Sequence, residues 1–161
     1  MIVCPPGITM TDALVLPTEP LVLTTHAGAR FKTRRTMSSV AIVSAYGDID
    51  ATNASTLTDY AFVNAVRCRG LVLDLSGVTF FGTDGFSALH RISVRCAHAD
   101  IAWMLVPGAA VSRLLRICDP HGSLPTVDTV SIALANLQEQ PCFPRPATPF
   151  AAPLSSDHPI G

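Results

Sequence analysis

Leu71-Val72-Leu73-Asp74-Leu75-Ser76-Gly77-Val78-Thr79-Phe80-Phe81-Gly82-Thr83-Asp84-Gly85-Phe86 is the stretch on which the fold turns. It opens with a near-continuous apolar run, the pattern of a strand covered on both faces. It then passes through a glycine-containing turn into a helix that starts near Asp84. Phe86, Leu89, Ile92 and Cys96 form one helical stripe. The chain from Leu75 to Ile101 is long enough for a crossover, so the strands on either side of it can pair in parallel. Ile101-Ala102-Trp103-Met104-Leu105-Val106 is the next apolar run, ended by Pro107-Gly108.

The same alternation extends outward. Upstream, Val40 to Tyr46 reads as a strand bounded by Gly47. Asp50 to Asn53 supply N-cap residue types for a helix carrying Ala54, Leu57, Ala61 and Ala65 on one face. Downstream, Val111, Leu114, Leu115 and Cys118 make a third stripe, and Val130, Ala133, Leu134 and Leu137 a fourth. A short strand near Thr126-Val127 fits between them, and one around Phe31 to Thr36 can hairpin onto 40–46. The order predicts a layered α/β fold: a mostly parallel central sheet of four to five strands with four helices.

Proline marks the borders. Four of the 13 prolines precede residue 21 and six lie between Pro141 and Pro159, so flexible ends are expected at 1–20 and 139–161. The ordered domain is expected at 21–138, clearest over 40–138. With 48% hydrophobic residues in 161, such a domain can bury a core without disulfides or metal. No apolar run reaches membrane-spanning length, and the proline-broken start makes a poor signal peptide. A cytoplasmic protein is the expectation.

A net charge of −1 argues against a nucleic-acid partner. Arg30, Lys32, Arg34 and Arg35 form one basic cluster, which reads as a solvated strand or linker. The five cysteines, Cys4, Cys68, Cys96, Cys118 and Cys142, include no CxxC pair, so free thiols are expected and no metal site. Gly82-Thr83-Asp84-Gly85 lacks the lysine of a nucleotide-binding GxxxxGK[ST] loop, and GxGxxG and GxSxG are absent. Ser87 and His90 sit one turn apart without an orienting acid. No catalytic constellation and no cofactor site emerge.

Gly47-Asp48-Ile49-Asp50, a helix, and then Leu73-Asp74-Leu75-Ser76-Gly77-Val78-Thr79-Phe80 resemble the STAS family pattern: G-E-L-D, a helix, and L-D-L-S-G-V-x-F followed by D-S-S-G. The resemblance covers about residues 40–138. It implies an anti-sigma-factor antagonist that binds a kinase-like anti-sigma factor, with a histidine-kinase-like ATPase fold, and so frees a sigma factor. It implies binding, not catalysis, by a monomer or homodimer. A STAS-type accessory subunit of a membrane lipid (ABC) transporter is the alternative of a different class.

The family's aspartate is Gly82 here, its first serine Thr83, and its phospho-acceptor serine Asp84, while the following glycine is kept as Gly85. Control by phosphorylation at that position is therefore in question. Asp84 is either a fixed, weaker mimic of phosphoserine, which carries about −1.5 to −2 charges, or a helix cap in a constitutively active antagonist. Thr83 is a second hydroxyl candidate. The partner surface expected from the resemblance comprises Gly82, Thr83, Asp84 and Gly85 with Asp48 and Asp50, which read equally as turn and cap residues. Phe80 and Phe81 point to opposite faces in extended chain. Either one belongs to the core and the other, taken as Phe81, is an aromatic anchor for a partner, or both are buried in the core. Cys68, between Arg67 and Arg69, is a candidate redox thiol, because flanking cations favour the thiolate.

Overall fold

A computed structural model describes residues 22–139. The elements are β1 (Val22–His26), β2 (Ala29–Arg35), β3 (Val40–Ile49), α1 (Ala54–Ala65), β4 (Gly70–Phe81), α2 (Thr83–His98), β5 (Ala102–Pro107), α3 (Ala109–Cys118) and α4 (Val130–Glu139). The flexible ends expected at 1–20 and 139–161 lie outside the described residues, except Glu139, which ends α4.

The five strands form one sheet in the order β1-β2-β3-β4-β5. β3 pairs with β4, and β4 with β5, in parallel; β1–β2 and β2–β3 are antiparallel. The sheet is thus evenly mixed, a correction to the mostly parallel sheet expected. β2 and β3 are joined by a tight hairpin, which can only be antiparallel, and β1 adds a second hairpin. Near Thr126 only a single parallel bridge to Leu105 forms.

Strand periodicity sorts the core into two layers. Ala41, Val43 and Ala45 of β3, Leu71, Leu73 and Leu75 of β4, and Trp103 and Leu105 of β5 face one side. There they pack with Leu57, Ala61 and Ala65 of α1, Leu89, Ile92 and Cys96 of α2, and Val111 and Leu115 of α3. The small alanines of α1 let that helix lie close to the sheet. On the second face Val40, Ile42, Val72 and Val106 meet Ala133 of α4, with Leu134 and Leu137 beside it. Burial of a side chain such as Ile42 contributes about 1.5–3 kcal/mol. α4 covers only the β4–β5 side and the start of β3, so the rest of this face carries polar residues.

Two backbone features fix the ends of the layers. β1 and β2 are joined through Ala27 (φ 45°) and Gly28 (φ 82°), the doubly left-handed pair of a two-residue hairpin turn. At the opposite pole Asp100 (φ 55°) ends α2, and the Ile101 N–H donates to the Cys96 carbonyl at 2.9 Å. That bond closes the helix in a Schellman arrangement.

Candidate functional site

The junction between β4 and α2 is built by three constraints. The Gly82 N–H donates to the Ile49 carbonyl at 2.9 Å, tying the end of β4 to the end of β3. Gly82 is the N-cap residue, in extended conformation, and its carbonyl accepts from the Gly85 N–H at 3.0 Å. Phe81 lies beneath the first turn of α2, so close that a Cβ on Gly85 would sit 2.6 Å from its ring. Gly85 is therefore required by packing, since no larger residue fits above that ring.

Thr83 and Asp84 are the first two helical residues, and both are exposed. Asp84 is not the helix cap that one of its two readings made it; that position falls to Gly82. The Asp84 carboxylate, in the first turn, stands where the helix dipole favours negative charge, an effect of about 0.3–1 kcal/mol. The Thr83 carbonyl accepts from the Ser87 hydroxyl at 3.3 Å.

Asp48 and Asp50 flank the same junction. Asp48 is exposed and accepts a hydrogen bond from Thr79 Oγ1 at 2.6 Å, bridging β3 to β4. Asp50 Oδ1 accepts from the Thr52 hydroxyl and from its N–H at 2.8 Å. Those two bonds, the side-chain bond foremost, hold its carboxyl below the ordinary carboxylate range. Asp50 thus shapes the turn into α1. Among the described residues none of Asp48, Asp50 and Asp84 forms an ion pair; the one such pair joins Arg95 to Asp59. The junction is an acidic, solvent-facing pole.

The aromatic pair falls the other way from expectation. Phe81 is 6% exposed and belongs to the core, whereas Phe80 is 55% exposed. The β3–β4 register slips between Gly47 and Asp48, so Asp48 pairs with Phe80. Phe81 then turns inward under α2, and Phe80 is the aromatic side chain at the surface of the pole.

Asn53, which the sequence offered only as one of several N-cap residue types, has a larger role. It is fully buried. Its Nδ2 donates to the Asp48 carbonyl at 2.8 Å and to the Ala27 carbonyl at 3.0 Å, and its Oδ1 accepts from the Asp50 N–H at 3.0 Å. One amide thereby joins the β1–β2 turn, the end of β3 and the start of α1. Its cap-type residue and its place before an apolar helix were visible in sequence; the link to Ala27, 26 residues away, was not.

Cys68 is remote from this pole, at the start of β4. Its Sγ donates to the Asn64 carbonyl at 3.4 Å. Burial pushes its thiol up, and the nearby Arg35 offsets this only in part, so the thiolate that flanking arginines were expected to favour is disfavoured. Burial raises Cys96 to about 11. Cys68, Cys96 and Cys118 are free thiols. Among the described residues no group of three metal-ligating side chains forms, and no helix is long and apolar enough to cross a membrane.

Comparison with known proteins places this architecture. Osmosensory protein A of Mycobacterium tuberculosis is 31% identical over 102 residues, which are 61% of this chain and 65% of that protein. The chain thus spans just under two thirds of that relative. The crystal structure of an anti-sigma factor antagonist from Mycobacterium paratuberculosis superposes with a TM-score of 0.56 at 23% identity, covering 74% of this chain and 93% of that one. The anti-sigma factor antagonist SpoIIAA in its unphosphorylated form gives 0.56 at 9% identity, over 67% and 96%. The murine Solute Carrier 26 family member A9 anion transporter gives 0.54 at 18% identity over 65% of this chain, but only 18% of the transporter. These superpositions speak to the fold. A STAS domain match spans residues 32–133, more than half of the chain, and the chain belongs to the STAS domain family.

Proposed function

We propose that the chain is an anti-sigma-factor antagonist: it binds a kinase-like anti-sigma factor with a histidine-kinase-like ATPase fold, in the cytoplasm, and so frees a sigma factor. It acts by binding and performs no catalysis. The observation that carries this reading is the β4–α2 junction. Thr83 and Asp84 project from the first turn of α2 beside Asp48 and Phe80, on a fold that SpoIIAA and the Mycobacterium paratuberculosis antagonist also adopt. The exposed, acidic pole suits a protein partner better than a small substrate.

Asp84 stands where a phosphorylatable serine would accept the phosphoryl group. A carboxylate carries one charge and two oxygens where phosphoserine carries up to two charges and three acceptor oxygens. Because Asp84 is exposed, its charge alters affinity modestly, unlike a buried unpaired one. The chain is therefore an antagonist that works without phosphorylation control at this position. The test is a displacement assay: the chain is added to a preformed anti-sigma–sigma complex and free sigma factor is read by gel filtration. Release supports the reading. Absence of release, with co-purification of an ABC-type ATPase instead, replaces it with the transporter-subunit reading.

A further inference from the structure

The basic cluster around β2 takes no part in the pole described above, and the strand register gives it a definite place. Ala29, Phe31 and Thr33 are buried toward α1, where the Thr33 hydroxyl donates to Tyr60 Oη at 3.0 Å. Arg30, Lys32 and Arg34 alternate with them and so project from the opposite face of the sheet. The helix on that face, α4, packs on β4 and β5, which leaves the β1–β2 corner uncovered by any described helix. Arg30 is exposed and Lys32 and Arg34 are half-buried. Across the register, Arg30 lies opposite Thr25 and Tyr46, and Lys32 opposite Ser44.

The one acid in that row is Asp74, opposite Ser44. Its oxygens are engaged by the Ser76 hydroxyl at 2.6 Å, the Ser76 N–H at 3.1 Å and the Ser44 hydroxyl at 3.3 Å. None of the three cations forms an ion pair or hydrogen bond among the described residues. The cluster is thus a row of unpaired cations at alternate strand positions, about 6.6–6.8 Å apart, beside the edge of the sheet.

We infer that this face is a second interaction surface, distinct from the β4–α2 pole, and that its occupant is an extended acidic segment of a partner protein. An extended chain with carboxylates at alternate residues repeats at the same 6.6–6.8 Å, so each cation meets one carboxylate. The segments of this sequence on either side of the described residues lack that chemistry: residues 1–21 contain only Asp12 and Glu19, and 140–161 only Asp157. A net charge of −1 disfavours long polyanions, which the remaining surface repels.

The test uses the full chain and a fluorescein-labelled dodecapeptide of alternating glutamate and threonine, titrated by anisotropy at 50 mM and 300 mM salt. The expected result is saturable binding that weakens at least tenfold at the higher salt. It should also weaken at least tenfold in the Arg30→Gln/Lys32→Gln/Arg34→Gln variant, with circular dichroism confirming its fold. The Arg113→Gln/Arg116→Gln variant, which removes two exposed cations of α3, should bind as the natural chain does. No saturable binding, or equal binding by the β2 variant, overturns the inference. So does tighter binding to a dodecameric oligothymidylate or to phosphatidylserine vesicles, which would assign the face to nucleic acid or lipid.

Discussion

Asn53→Ala tests whether one buried amide assembles the acidic pole. The variant loses three hydrogen bonds, to the Ala27 and Asp48 carbonyls and from the Asp50 N–H. At about 0.5–1.5 kcal/mol each, and with their surroundings partly buried, the expected loss is about 3 kcal/mol. Part of that loss falls on the β1–β2 turn, because Ala27 is held at φ 45°, a region costly for a residue with a Cβ. With a urea slope of about 2 kcal/mol/M, the unfolding midpoint should fall by about 1.5 M. Asn53→Asp should be at least as damaging, since it would turn a carboxylate oxygen toward two carbonyls. The assay is urea unfolding at 25 °C followed by circular dichroism. A midpoint within about 0.3 M of the natural chain would refute the reasoning and mean that the turn, β3 and α1 hold one another without this amide.

Gly85→Ala should destabilise the protein by about 1–3 kcal/mol in the same assay, because its Cβ would lie 2.6 Å from the buried Phe81 ring. Ala27→Asn should raise stability by up to about 1 kcal/mol, read as a higher melting temperature, because asparagine tolerates the left-handed region better than alanine. In native protein at pH 8, Cys96 should resist a thiol reagent until unfolding, since burial both shields it and raises it to about 11; Cys68 should react more slowly than a free cysteine. The Asp50 carboxyl should titrate below the ordinary carboxylate range by NMR. Its folded-state value is depressed, so its contribution to stability is present above the unfolded value and is lost as pH falls through the folded one. Titration in the ordinary range would mean that the Thr52 bonds do not form in solution.

The helices were legible because each keeps its apolar residues at helical spacing, as in Ala54, Leu57, Ala61 and Ala65. β3 and β5 were legible as apolar runs. β1 was not: Val22-Leu23-Thr24-Thr25-His26 is too short to show alternation, and its pairing depends on a turn at Ala27-Gly28 with no asparagine or aspartate to signal it. β4 proved longer than its apolar run, reaching Phe81, because parallel pairing with β3 carries it through polar residues. At the candidate site, the family resemblance pointed to Gly82 to Gly85, Asp48 and Asp50, which the bond from the Gly82 N–H to the Ile49 carbonyl draws to one pole. Sequence reasoning assigned the exposed aromatic to Phe81 and not to Phe80, because the choice depends on a register slip against β3 that the linear sequence does not show. Nor could it show what Asn53 joins, because its partners are brought together only by the folded sheet. The β2 cations were visible as a cluster, but only the burial of Phe31 and Thr33 shows that three of them share a face.

On the proposed function, the acidic pole at the start of α2 binds an anti-sigma factor without prior dephosphorylation. The most direct test is calorimetric titration of the natural chain, and of Asp84→Ser and Asp84→Arg, into purified kinase-like anti-sigma proteins from the same cell. The account predicts a saturable isotherm for the natural chain with a Kd near micromolar or tighter, about −8 kcal/mol. Asp84→Ser should bind within a few-fold of it, and Asp84→Arg at least tenfold more weakly. Binding gained only in Asp84→Ser would make the natural chain a locked, phosphate-mimicking form. No binding by any of the three would contradict the account.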